Sequence, residues 1–414
     1  MTEDINEWSE VLELAANSFS TPFYFLRLPV YTRRVARLKA EVVAHLHGCA
    51  LKQWYSYKTL PVPHFALSAN KESELGVEVT SDFELSAVLA ARVASKDILI
   101  NGPCKHLWLP RNLPRLTVAF DSLFEVQELA PVSRALGWNV GLRLSLSNQR
   151  DPDDERYPAQ FGMVEEDIRR AVATLNASGN PPTFVHFHLR ANVALQTLEA
   201  AASEAANIVN SLGSQLCIRA VNFGGGLPEP NVWTNGCELA KEVTFSRYGQ
   251  TVAACRALFP TAEEVWLENG RALVGPAGAL VLTVGDIKEI EGYRVLICDG
   301  GRTNNALESD WGTHIVRPLG IGPAPTTPTI VCGPSCMPYD WIYRGELSSA
   351  IERGTKIAYF NAGSYHIPWE TRFSRGLCSV ILQDMTGAFG CIRQKESVDH
   401  WINSWTPQES FQCD

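Results

Sequence analysis

No stretch of this chain approaches the ~18 consecutive apolar residues of a membrane-spanning helix. Basic charge is not in excess either. Its 36 Lys and Arg stand against 45 Asp and Glu, a formal net charge of −9, which argues against nucleic acid as a general partner. The N-terminal Met1-Thr-Glu-Asp-Ile-Asn-Glu-Trp8 is acidic and carries no signal-peptide pattern. The 11 cysteines form no CxxC pair and no zinc spacing, and their odd number speaks against a disulfide framework, so reduced thiols in a cytoplasm are the expectation. Internal repeats, low-complexity tracts and long linkers are absent. What remains is 414 residues, 45% hydrophobic and 20% charged, which is enough for a substantial core and roughly two domains.

Periodicity divides the chain. Residues 1–20 read as a helix with an acidic face, Phe23-Tyr-Phe-Leu26 as a strand, and Pro29 to His47 as a helix with Val35, Leu38, Val42 and Leu46 on one side. Strand-like runs then recur at 51–60, 97–101, 116–120, 140–146, 183–189, 217–223 and 264–268, with helical patterns at 84–94, 123–136, 165–175, 193–212 and 245–258. Strands separated by helices over some 240 residues indicate a parallel α/β sheet, and that length suits a (β/α)8 TIM barrel. After about residue 276 the texture changes to short strands between Gly, Pro and Asp turns, as in Tyr293-Arg-Val-Leu-Ile-Cys298 and Lys356-Ile-Ala-Tyr-Phe360. The expected architecture is a barrel over 28–275 and a C-terminal β-barrel domain over 276–414, with 1–27 attached to the latter.

Polar residues collect at the C-terminal ends of the expected barrel strands, where this fold places its chemistry. Lys58 closes the aromatic run Leu51-Lys-Gln-Trp-Tyr-Ser-Tyr-Lys58. Most such lysines snorkel into water. One held back from water has a lowered pKa and becomes a nucleophile for Schiff-base chemistry. Arg143 lies in another strand, and His186 and His188 stand two residues apart in a third, without an acidic or cysteine partner at metal spacing. An imidazole stacked on a planar cofactor needs no such partner. Gly224-Gly225-Gly226 is either a tight turn or a phosphate cradle, and it is neither a GxGxxG nor a GxxxxGKS loop. Glu268 could bond a protonated pyridine nitrogen or form a surface ion pair. Cys336, in a turn-rich loop, is a proton-donor candidate or an ordinary thiol, and Tyr365 a phosphate contact or a plain strand-end aromatic.

In this order the pieces resemble the fold-type III decarboxylases dependent on pyridoxal 5'-phosphate, the family of diaminopimelate and ornithine decarboxylases. The family's YAxKAN strand is similar to Tyr55-Ser-Tyr-Lys58, its G(F/L)D(V/C)xSxxE to Gly76-Val-Glu-Val-Thr-Ser-Asp-Phe-Glu84, and its GPxK to Gly102-Pro-Cys-Lys105. Its HxHxGSQ resembles His186 to Asn192, its GGGFP Gly224 to Pro228, its EPGR Glu268-Asn-Gly-Arg271, its vGPxCxxxD the run Cys332 to Asp340, and its GAY Gly363-Ser-Tyr365. The resemblance implies an alanine racemase-like barrel and a homodimer with shared sites. It implies that Lys58 holds the cofactor as a Schiff base, that His188 stacks on the ring and that Glu268 bonds its nitrogen. Glu78 and Arg143 would lie nearby, while Gly224, Gly225, Gly226, Arg271 and Tyr365 would hold the phosphate. Cys336 and Asp340 would act in the partner's site, with Cys336 protonating the carbon that has lost CO2.

The departures bear on the substrate. Arg190-Ala191 replaces the family's Gly-Ser, adding a charge that would meet an acidic substrate or compensate for the lost hydroxyl. Met337 follows Cys336 where diaminopimelate decarboxylases carry Glu and ornithine decarboxylases Asp, so a distal ammonium has no partner there. This favours a modified amino acid, of the kind decarboxylated in building siderophores or other secondary metabolites, over diaminopimelate, ornithine or lysine. The rivals are an amino-acid racemase, which Glu268 and Cys336 disfavour, and a non-catalytic relative that only binds the cofactor.

Overall fold

The structure is a computed structural model and describes residues 7–147, 149, 156–189, 194–227, 243–305 and 314–405. The chain falls into two compact units, Thr32–Leu273 and the described parts of Met1–Tyr31 with Val274–Asp414. Strand β1 (Phe23–Arg27) belongs to the second. The first contains β2 (Ala50–Ser56), β3 (Gly76–Val79), β4 (Ile98–Ile100), β5 (Thr117–Phe120), β6 (Asn139–Arg143), β7 (Phe184–His186), β8 (Ala220–Asn222) and β9 (Glu264–Leu267). These pair in parallel, in that order, and β9 closes on β2 to make an eight-stranded barrel.

Side-chain size decides how the barrel interior fills. Trp54, Leu99, Ala119, Phe184, Ala220 and Trp266 form a buried cluster inside it. The two tryptophans meet edge to face at 5.4 Å, and Phe184 lies 4.6 Å from Trp266. Two strands supply glycine at this level because nothing larger fits. A Cβ at Gly76 would lie 2.1 Å from the Trp54 ring, and one at Gly141 2.5 Å from Phe184. Side chains on one strand face repeat every two residues. Two residues beyond this apolar level, the same eight strands or the residues just past them carry Ser56, Glu78, Asn101, Asp121, Arg143, His186, Asn222 and Glu268, all buried. The barrel is thus apolar at one level and entirely polar at the next.

Seven of its strands stand out in the sequence. The eighth, β3, does not, because four residues that begin with glycine and include Glu78 carry no apolar run. The first barrel strand also ends earlier than the pattern suggests. β2 stops at Ser56, and Lys58 sits in the single 3-10 turn Tyr57–Thr59, held by Thr59 Oγ1 donating to Ser56 O at 2.7 Å. Two of the outer helices start alike. Ser81 and Ser122 accept the N–H of Glu84 and Glu125, each at 3.2 Å, and those glutamates reach back to the N–H of Thr80 and Asp121.

The second unit is a nine-stranded sheet made of β1 with β10 (Gly278–Ile290), β11 (Tyr293–Cys298), β12 (Val316–Pro318), β13 (Thr326–Cys332), β14 (Trp341–Ser348), β15 (Lys356–Phe360), β16 (Ser379–Gln383) and β17 (Phe389–Arg393). The order is β14-β13-β11-β10-β1-β16-β17, with β15 joining β10 and β12 joining β15. β1 pairs antiparallel with β10 and parallel with β16, which places an N-terminal strand at the middle of a C-terminal sheet. Among the described residues no helix is long and apolar enough to cross a membrane, and no group of three or more His, Cys, Asp or Glu could hold a metal ion.

Candidate active site

The polar level of the barrel is one connected network. Lys58 Nζ, on the turn after β2, lies 2.7 and 2.6 Å from the two carboxylate oxygens of Glu78 on β3. Ser56 Oγ donates to Glu78 Oε2 at 2.8 Å. Glu78 is fully buried while the lysine side chain keeps 30% exposure, so its amine sits at the boundary between polar interior and solvent. Asn101, just past β4, donates from Nδ2 to Glu78 Oε1 at 3.1 Å and to Glu268 Oε1 at 2.9 Å. Glu268, just past β9, accepts at the same Oε1 from Asn222 Nδ2 at 2.7 Å, and His186 Nε2 stands 3.4 Å from it. Burial alone would raise the Glu268 pKa, but His186 and Lys58 outweigh it and hold the carboxyl well below its usual range.

The next neighbours complete the rim. Arg143, the last residue of β6, approaches Asp121 Oδ1 at 3.3 Å and lies over the Phe161 ring at 4.3 Å; burial lowers its pKa despite three nearby carboxylates. His188 lies past the end of β7. Its Nδ1 accepts the Gly225 N–H at 2.9 Å, and burial, then the charge of Lys58, pull its pKa down to about 3, so the ring is neutral. Gly224 has φ +66, and a Cβ there would come within 2.7 Å of Phe187 O; one at Gly225 would come within 2.5 Å of Glu268 O. The glycines therefore let this loop lie against the ends of β7 and β9. Two of their N–H groups are already used, Gly224 by Asn222 Oδ1 at 2.9 Å and Gly225 by His188, which leaves the Gly226 end of the loop for an anion. Arg271 is buried at the start of the short helix Arg271–Val274.

Lys58, Glu78, Arg143, His188, Gly224 to Gly226, Glu268 and Arg271 thus come together at one end of the barrel. Sequence reading missed Ser56, Asn101, Asp121 and Asn222, and it weighed His186 as a metal ligand or a ring stacked on a planar cofactor, not as a neighbour of Glu268. One signal would have found them. Each stands two residues beyond a residue of the apolar level, but only strand register reveals that spacing. Lys105 of the GPxK-like segment is fully buried and pairs with Glu125 at 2.8 Å, so it ties the short helix Lys105–Trp108 to the first turn of the helix Leu123–Ala135. Arg190 falls outside the described residues.

Cys336, Met337, Asp340 and Tyr365 belong to the sheet unit. Cys336 is exposed on the loop between β13 and β14. Asp340 is buried beneath that loop and accepts the N–H of Arg302 at 2.6 Å, the N–H of Ser335 at 3.0 Å and the Ser335 hydroxyl at 2.5 Å. Gly301 and Gly333 make room for its carboxylate. Tyr365 has φ +60 and stacks on Trp369 at 4.8 Å.

Residues 33–275 match the family described as the pyridoxal binding domain of pyridoxal-dependent decarboxylases. The chain belongs to that family. This decarboxylase is similar along most of its length to diaminopimelate decarboxylase of Archaeoglobus fulgidus, with 25% identity over 89% of this chain and 90% of that protein. It is 23% identical to the L-glutamyl-(BtrI acyl-carrier protein) decarboxylase of Niallia circulans, over 95% of each. The crystal structure of diaminopimelate decarboxylase from Helicobacter pylori complexed with L-lysine shares its fold, with a TM-score of 0.80 and 22% identity over 95% of this chain and 99% of that one. The decarboxylase is thus a carboxy-lyase that uses pyridoxal phosphate, and its donor set fits that group. An amine, a neutral imidazole and an ionised carboxylate stand at the barrel mouth. All three contacts to Glu268 fall on Oε1, so none of them occupies Oε2.

Proposed function

We propose that this enzyme decarboxylates an amino-acid conjugate whose far end carries no free ammonium, such as a citrate-linked siderophore intermediate. The observation that carries this reading is the loop after β13. Met337 stands next to Cys336, and the Asp340 carboxylate is taken up by three donors of its own unit. A distal ammonium would find no carboxylate from either residue, and an unpaired buried charge is heavily penalised. The Niallia relative, named for a glutamyl group on an acyl-carrier protein, supports the idea that related chains act on tethered amino acids. The second reading is diaminopimelate decarboxylation, favoured by the names of several relatives.

In either reading Lys58 would hold the cofactor, Glu268 Oε2 would meet the ring nitrogen, His188 would stack on the ring, and Gly226 and Arg271, with Tyr365, would receive the phosphate. Bound pyridoxal phosphate supplies an electron sink for the pair left behind when CO2 departs. Before Lys58 acts as a nucleophile its ammonium must lose a proton, and Glu78 stands within 2.7 Å to accept it. A negative Glu268 keeps the ring nitrogen protonated, and Arg143 offsets part of the buried negative charge. Cys336 delivers the final proton to carbon, acting in the site of a second copy of this chain. The nine described cysteines are all free, which fits a reducing cytoplasm.

The test is an absorbance spectrum with pyridoxal phosphate for wild type and Lys58→Ala, followed by CO2 release from a substrate panel. The expected result is a visible Schiff-base band lost in the variant, with CO2 from a citrate-conjugated diamino acid and none from diaminopimelate, lysine or ornithine. CO2 from diaminopimelate would transfer the assignment to the second reading. Identical spectra for the two proteins would remove Lys58 from the site.

A further inference from the structure

Among the described residues of the polar level, Asn101 is the one that donates to the side-chain carboxylates of both glutamates. A single amide nitrogen, with two hydrogens, spans Glu78 Oε1 at 3.1 Å and Glu268 Oε1 at 2.9 Å. The residue is 3% exposed, and its Oδ1 has no hydrogen-bond partner among the described residues. A buried amide that leaves its own acceptor unsatisfied is held by what its donors do.

We propose that Asn101 is a positioning residue that ties the carboxylate holding Lys58 to the carboxylate facing the cofactor ring, so that the charge on Lys58 and the aim of Glu268 are set together. This rests on the roles given above for Lys58 and Glu268. Two buried carboxylates repel each other, and an N–H donated to each offsets part of that repulsion while fixing their separation. Asn222 cannot substitute. It donates to Glu268 only, and its Oδ1 is committed to the Gly224 N–H. Ser56 cannot substitute either, because its hydroxyl hydrogen goes to Glu78 or to the Glu268 carbonyl and never to the Glu268 carboxylate. A side chain that offers two hydrogens from one atom at this short reach is an asparagine. The charged and titratable groups around the pair are Lys58 and Glu84 on the Glu78 side, His186 and His188 on the Glu268 side, and Arg143 facing both. When Lys58 gives up its proton, Glu78 is left with Ser56 and Asn101 as its hydrogen-bond donors, and Asn101 passes any movement of Glu78 to Glu268 Oε1.

The experiment compares wild type with Asn101→Asp and Asn101→Ala. In cofactor-free protein, the pH dependence of Lys58 reductive methylation, read by peptide mass spectrometry, reports the lysine's proton affinity. Asn101→Asp places a third carboxylate beside Lys58, which favours the ammonium, so the midpoint should rise by about one pH unit or more. In the loaded enzyme, Asn101→Ala should still show the visible band, with kcat down about tenfold and KM within about threefold, because the interaction lost acts at the reacting centre. A plain buried-polar role would lower thermal stability and leave the Lys58 midpoint and kcat unchanged, and that outcome overturns the proposal. If Asn101→Asp does not fold, Asn101→Ser, which keeps one hydrogen, replaces it; there an unchanged kcat overturns the proposal. A wild-type protein without a visible band would defeat the assignment of Lys58 as cofactor lysine, yet the methylation profile would still decide whether Asn101 couples the two sides.

Discussion

A lysine and a histidine at this barrel mouth are held away from their solution behaviour by different means. Lys58 is paired with a carboxylate fully shielded from water, and in the proposed chemistry Glu78 takes the proton its ammonium must lose. His188 is neutral because burial, reinforced by the Lys58 charge, lowers its pKa from 6.5 to about 3. A depressed folded-state pKa means that the unfolded chain binds more protons below about pH 6.5. The native state therefore loses stability as pH falls from there toward 3. The slope from this one residue is at most about 1.4 kcal/mol per pH unit. Urea unfolding at pH 7 and pH 5 should show wild type losing stability on acidification and His188→Gln losing less. Equal losses would mean that His188 is protonated in the fold.

At the scale of the element, short parallel strands align two rings of side chains one above the other. The apolar ring is tight because indole and phenyl groups face glycine. Gly141→Ala inserts a methyl where Phe184 already stands at 2.5 Å, and overpacking of this kind costs about 1–3 kcal/mol. Thermal melting should register it as a lower Tm. Because Arg143 follows two residues later on the same strand, the substitution should also weaken cofactor binding, which titration with pyridoxal phosphate would measure. A variant as stable as wild type would show that the ring has slack. The helices after β3 and β5 were readable, as patterns at 84–94 and 123–136, because their periodicity is local. β3 was not, because its one distinctive residue, Glu78, has a place inside the barrel only once seven other strands enclose it.

For the whole molecule, the placement of Cys336 in a unit separate from Lys58 bears on assembly. If two copies share their sites, Lys58→Ala and Cys336→Ala proteins, each inactive, should complement when mixed and allowed to exchange. Random pairing gives half mixed dimers with one intact site each, so activity should return to about a quarter of wild type. Analytical ultracentrifugation should show a dimer of the 45.7 kDa chain. No recovery after proven exchange would place Cys336 in the site of its own chain.

The sequence alone determined the succession of strands and helices, the change of texture near residue 276, and the lysine, histidine, triple glycine, glutamate and cysteine in family order. These are legible because periodicity, turn chemistry and short motifs are written in neighbouring residues. Tertiary structure alone decided three things. It gave β1, which the sequence had already attached with residues 1–27 to the C-terminal domain, its place between β10 and β16, since strand pairing has no local signature. It showed that Gly224 and Gly225 spend their N–H groups within the protein, which composition cannot reveal. It also joined Ser56, Asn101, Asp121, His186 and Asn222 to the expected site residues, because a ring of side chains from eight strands exists only after the barrel has closed.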